Sequence, residues 1–150
     1  MYNVNLLPLT KKAIAKEKRY QKTATVEVLA PNPVLSNMAV PVITSPGSCG
    51  LPETSGIRYQ ADYTDPDGDI DSDIPVQVYL QWSNGGTQTY ISEPIYNTIT
   101  GNGYSGSVSA HNCLAFGGAS YVDVTLTIWD ASGNVSNSVT RRAENPGGIP

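Results

Sequence analysis

The 150-residue chain is long enough for one ordinary domain with its own hydrophobic core. Apolar residues make up 39% and charged residues only 15%, against roughly 25% charged in typical soluble domains; Ser, Thr, Asn, Gly and Pro fill the difference and suit turns and solvated strand faces. No apolar run approaches the about 18 residues of a transmembrane helix, and Met1–Leu9 lacks the basic and long apolar regions of a secretory signal.

The net charge of −4 is unevenly placed. Residues 1–30 carry six basic groups (Lys11, Lys12, Lys16, Lys18, Arg19 and Lys22) and two acids. Residues 31–150 carry three basic groups and eleven acids. A basic arm on an acidic body can meet a neighbouring acidic body, an anionic membrane surface or nucleic acid. The reading adopted is a protein partner, with nucleic acid disfavoured. The alternative is a solvated tail.

Residues 10–22 are good helix formers, but Ile14 and Ala15 are too few to bury a face. Thr23–Leu29 alternates with period two and places Val26 and Val28 on one side, a strand-like segment. Ala30-Pro31-Asn32-Pro33 stops it, because proline removes ladder donors. The Pro-rich stretch to Pro52 holds a short edge-strand candidate at Ala39–Thr44.

From Ile57 the strand pattern is clear. Ile57, Tyr59, Ala61 and Tyr63 alternate with polar residues, as do Val76, Val78, Leu80 and Trp82. Thr87–Ser92 and Tyr104–Ala110 are weaker strands. Val122, Val124, Leu126 and Ile128 form the best one, followed by the tight turn Asp130-Ala131-Ser132-Gly133-Asn134 and a last strand at Val135–Arg141. About seven short strands with one apolar face read as an all-β antiparallel sandwich. The expected layout is a basic arm over 1–30, the sandwich over 31–143 and an extended tail over 144–150.

Two segments carry a resemblance. Tyr59-Gln60-Ala61-Asp62-Tyr63-Thr64-Asp65-Pro66-Asp67-Gly68-Asp69 runs from a strand into an Asp-Gly turn, and Val124–Asn134 forms a penultimate strand and final hairpin. Both resemble the immunoglobulin-like modules of bacterial surface proteins and phage particles. The resemblance implies an immunoglobulin-like β-sandwich and no active site. The cysteines do not follow antibody-type spacing, so only the architecture carries over.

Cys49 lies in a loop and Cys113 near the end of a strand; neither belongs to a CxxC or Cys/His cluster, which speaks against zinc. They form either one disulfide closing a long loop or two unlinked thiols. Asp65, Asp67, Asp69, Asp71 and Asp73 alternate over nine residues. Hard oxygen donors at alternate positions suit calcium. The EF-hand pattern fails, because its glycine is displaced and Val76 stands where the bidentate Glu belongs. The alternatives are a solvated acidic loop, or one neutralised by the Lys-rich arm of a neighbouring subunit.

His111 is the only histidine, two residues from Cys113 and on the same side of a strand. A Cys–His dyad is conceivable, but nothing orients it, and a non-catalytic module is expected. Tyr79, Tyr121 and Trp129 fall on the polar phases of their strands. On one sheet face they would offer a stacking platform to a glycan or receptor. These features predict a structural subunit displayed extracellularly or on a virion. Its arm would add a strand to a copy of itself or to another structural protein. The alternative is a calcium-stabilised, carbohydrate- or receptor-binding adhesin module.

Overall fold

The computed structural model describes residues 30–92 and 97–147. The arm, with Lys11, Lys12, Lys16, Lys18, Arg19, Lys22, Val26 and Val28, lies outside the described residues, as do 148–150. In chain order the strands are β1 (Val34–Ser36), β2 (Val42–Ile43), β3 (Ser55–Thr64), β4 (Val76–Trp82), β5 (Thr87–Ser92), β6 (Asn97–Gly101), β7 (Ser105–Leu114), β8 (Tyr121–Ile128) and β9 (Val139–Glu144). All pairings are antiparallel.

One sheet has the order β1-β3-β7-β6, with β2 also on β3; the other has the order β5-β4-β8-β9. This is the strand arrangement of an immunoglobulin-type sandwich, with β5 as an added edge. The expected fold class is therefore what the chain adopts. The alternation seen in sequence is the alternation of burial: β3 reads buried at Ile57, Tyr59, Ala61 and Tyr63, and β8 at Val122, Val124, Leu126 and Ile128. Val76, Val78 and Leu80 of β4 and Val108 and Ala110 of β7 complete the inner layers. Each fully buried aliphatic side chain contributes on the order of 1.5–3 kcal/mol. Met38, Ile70, Ile74 and Phe116 come from the connections and close the ends.

The core tyrosines keep their hydroxyls satisfied, Tyr59 donating to Asn112 Oδ1 and Tyr63 to the Asn102 carbonyl. Burial first, and Tyr90 second, push the Tyr59 phenol far above its ordinary range.

Three elements differ from expectation. β1 and β6 carry too little apolar patterning to stand out: β1 is three residues behind two prolines, and β6 is Asn-Thr-Ile-Thr-Gly. The last strand begins at Val139 instead of Val135 and runs to Glu144. Just beyond the strand, Asn145 N–H donates to the Ser120 carbonyl.

The shift in β9 has a local cause. Leu126 pairs with Val139, but Trp129 bridges Val135. Three steps on one side face four on the other, so the returning chain holds one extra residue, a β-bulge. Ser136 N–H donates to the Ile128 carbonyl and its hydroxyl accepts the Ile128 N–H, while Asn137 is turned towards β1. Leu35 N–H donates to Asn137 Oδ1 at 2.8 Å, and Asn137 Nδ2 donates to the Leu35 carbonyl at 3.0 Å. The side-chain amide makes the two bonds that a neighbouring strand would make. Arg141 Nε adds a bond to the Met38 carbonyl. These contacts fasten the first strands of one sheet to the last strand of the other.

Candidate functional site

At the end of the sandwich where β3 finishes and β8 turns back, four carboxylates converge. One oxygen from each of Asp65, Asp67, Asp69 and Asp130 lies within 4.8 Å of all the others. Asp65, Asp67 and Asp69 come from the β3–β4 connection, and Asp130 from the hairpin after β8. Of the five acids expected from the alternation, Asp71 and Asp73 do not join this group. They belong instead to a shallow cavity of about 280 Å³ with Ile74, Pro75, Asp130 and Ala131. The loop is a turn and not an extended strand, since Gly68 N–H bonds the Asp65 carbonyl. Strict alternation therefore stops governing direction after Asp69.

The loop is shaped by close packing. Gly68 sits at φ +77°, and a Cβ there would lie 2.4 Å from the Tyr104 ring. The Tyr104 carbonyl accepts the Asp65 N–H at 2.8 Å. Asp69 N–H donates to Asp65 Oδ2 at 2.9 Å. Across to the hairpin, Ser132 Oγ donates to Asp69 Oδ2 at 2.6 Å, and Ala131 N–H donates to the Asp69 carbonyl. Asp130 closes its own turn by accepting from Asn134 N–H and Asn134 Nδ2. Asp65 Oδ1 and Asp69 Oδ1 are buried and have no hydrogen-bond partner. Burial raises the Asp65 carboxyl to about 6, opposed by the Asp69 N–H bond and reinforced by Asp67. The cluster can hold a metal ion.

Beside it, Pro75, Ile91, Trp129, Asp130, Ala131 and Gly133 line an open cleft of about 350 Å³. Ile91 is 53% exposed, although apolar. Trp129 is half-buried there. Tyr79 and Tyr121 share the outer face of the same sheet. Tyr79 is level with Thr125, and Tyr121 and Trp129 lie four residues to either side of Thr125, about 13 Å each way at about 3.3 Å per residue. The three aromatics are thus spread along the face. Tyr121 is also covered by the Arg142 guanidinium, 3.4 Å from its ring centre, while Arg142 forks onto Asp123 at 2.7 and 2.8 Å.

At the opposite end, Cys49 and Cys113 form a disulfide with Cα atoms 5.9 Å apart. It ties the β2–β3 connection to β7. Arg58 and His111 pair across β3 and β7 beside it and line a cavity of about 380 Å³ with the bridge. With its sulfur bonded, Cys113 is not a nucleophile for His111. Sequence reasoning missed Asp130 as a cluster member; its only signal was an Asp opening a tight turn. Among the described residues, no helix is long and apolar enough to cross a membrane.

Comparison with known proteins adds a distant likeness. No protein-family model matches the chain, and no curated protein matches it. Among solved structures it is similar to the PKD domain of an M14-like peptidase from a Thermoplasmatales archaeon, at 18% identity and a TM-score of 0.41, covering 79% of this chain and 99% of that one.

Proposed function

We propose that this chain is a non-catalytic structural module of an extracellular or virion surface assembly, fastened to a neighbour by its N-terminal arm. The disulfide supports an oxidising location. The observation that carries the reading is the open edge of β5. Its six residues, Thr87–Ser92, contain no proline and no charge, and among the described residues β5 pairs with β4 alone. An uncharged, unpaired edge is a template for another strand. The other edges are less inviting: β1 and β2 are three and two residues long, β9 carries Arg141, Arg142 and Glu144, and β6, uncharged like β5, has five residues and ends in a glycine, Gly101. The strand-like Thr23–Leu29, with Val26 and Val28 on one side, is the segment offered to that edge. Its basic approach, Lys11 to Lys22, suits an acidic body.

The test compares the solution mass of the full chain with that of a chain lacking residues 1–30, at low and high salt. The full chain assembles, and the shortened chain stays folded and monomeric. Thr89→Lys on the β5 edge weakens assembly in the full chain. Normal assembly of the shortened chain overturns the reading.

The cleft beside Trp129 favours a second reading, a calcium-stabilised module that binds a glycan or receptor. The exposed Ile91 and Pro75 together with the half-buried Trp129 form an apolar stacking surface. Glycan-array binding lost in Trp129→Ala would favour it over the first.

A further inference from the structure

The geometry points to a calcium site made by Asp65, Asp67, Asp69 and Asp130 that clasps the β3–β4 connection to the β8–β9 hairpin. Two independent features support a ligand here. The first is convergence: one oxygen from each residue lies within 4.8 Å of the rest. Oxygens on opposite sides of a calcium ion, each about 2.3–2.6 Å from it, stand about 5 Å apart. The second is a pair of orphaned oxygens. Asp65 is only 1% exposed, yet its Oδ1 has no partner, and neither has the buried Oδ1 of Asp69. A buried carboxylate oxygen without a donor or cation is costly.

The described residues offer no cation of their own at this end. They contain no lysine and three arginines. Arg142 is engaged by Asp123, and Arg141 bonds the Met38 carbonyl. Arg58 lies towards the disulfide end of β3, opposite His111. Nothing among the described residues balances the four carboxylates, which leaves their charge to an exogenous cation or to the basic arm.

The donor set selects the ion. All four groups offer oxygen, and no nitrogen or sulfur ligand joins them among the described residues, which disfavours zinc and copper. Magnesium prefers one or two carboxylates and retained waters, whereas calcium accepts many carboxylate oxygens in flexible geometry. The site is pre-formed. Ser132 already bonds Asp69, and Asn134 already holds Asp130 in place. Because Asp130 also lines the Trp129 cleft, the ion would fix one wall of that cleft. The site does not depend on assembly through the arm, so the two ideas fail separately.

The test uses the full chain after chelator treatment. Calcium is titrated by calorimetry, and thermal unfolding is recorded with calcium, magnesium or chelator. One calcium per chain is expected, with a calcium-dependent rise in Tm. Asp67→Asn and Asp130→Asn each weaken binding at least tenfold, whereas Asp71→Asn and Asp73→Asn leave it within about twofold. Asp67 is exposed, so its variant serves if Asp130→Asn fails to fold. No heat and no Tm change at calcium well above the about 10⁻³ M constants of weak extracellular modules overturns the site. So does an equal response to magnesium, or loss of binding in Asp71→Asn or Asp73→Asn with retention in Asp67→Asn.

Discussion

Asn137→Ala should loosen the joint between the two sheets. The wild-type amide makes two bonds to Leu35, at 2.8 and 3.0 Å. A single intramolecular hydrogen bond contributes a net of about 1 kcal/mol, and an abandoned buried partner costs about 1–3 kcal/mol. Leu35 is 2% exposed, so its backbone groups have little access to replacement water. The loss is therefore about 2–3 kcal/mol, a large share of the roughly 5–15 kcal/mol of a native domain. With a urea m-value of about 1–2 kcal/mol/M for a domain of this size, the midpoint falls by about 1–3 M. Hydrogen exchange supplies the local readout. The Leu35 amide should become much less protected, while the amides of β4 and β8 change only with global stability. A loss below about 0.5 kcal/mol, the range of an ordinary surface substitution, with Leu35 protection unchanged would refute the reasoning.

Other substitutions test other parts of the fold. Replacing Cys49 and Cys113 with Ser opens a loop of 64 residues; the chain-entropy relation gives a loss of about 4 kcal/mol, measurable by urea unfolding. A loss under about 1 kcal/mol would count against it. Gly68→Ala meets both a left-handed backbone at φ +77° and the Tyr104 ring; it should cost about 1–3 kcal/mol and shift the NMR signals of the Tyr104 ring. Arg142 holds the Asp123 carboxyl below the usual carboxylate range through their hydrogen bonds. An acid with a lowered folded pKa stabilises above its unfolded pKa, and that contribution fades as pH falls through the folded one. Carboxyl NMR titration should find Asp123 low in the wild type and near its ordinary value in Arg142→Gln.

Strands buried on one face are legible because the core imposes a period of two. Ile57–Tyr63, Val76–Trp82 and Val122–Ile128 show it in the residues themselves and in their burial. β1 and β6 escape because edge strands bury few side chains: Leu35 is the one buried residue of β1, and Asn97 that of β6. Periodicity misplaces β9 because the bulge at Asn137 breaks the register by one, and a single inserted residue leaves no mark in composition. The acidic cluster divides the same way. Asp65, Asp67 and Asp69 are neighbours in sequence, so their grouping can be read there. Asp130 is brought to them only by the β4–β8 pairing, which sets Val76 against Ile128. Asp71 and Asp73 join them only if alternation is extended into a segment that turns.

The disulfide also sets how the module would carry mechanical load. A chain held by its arm is pulled from its N-terminal side, and the first elements to feel that pull are β1 and β2. They can peel from β3 as far as Cys49. There the force passes through the sulfur bridge to Cys113 in β7 and bypasses the chain between. That shielded span contains β3 to β6 and the acidic loop. Under tension the module can lengthen by its first strands and by the segment after Cys113, while the span between the cysteines stays covalently inextensible.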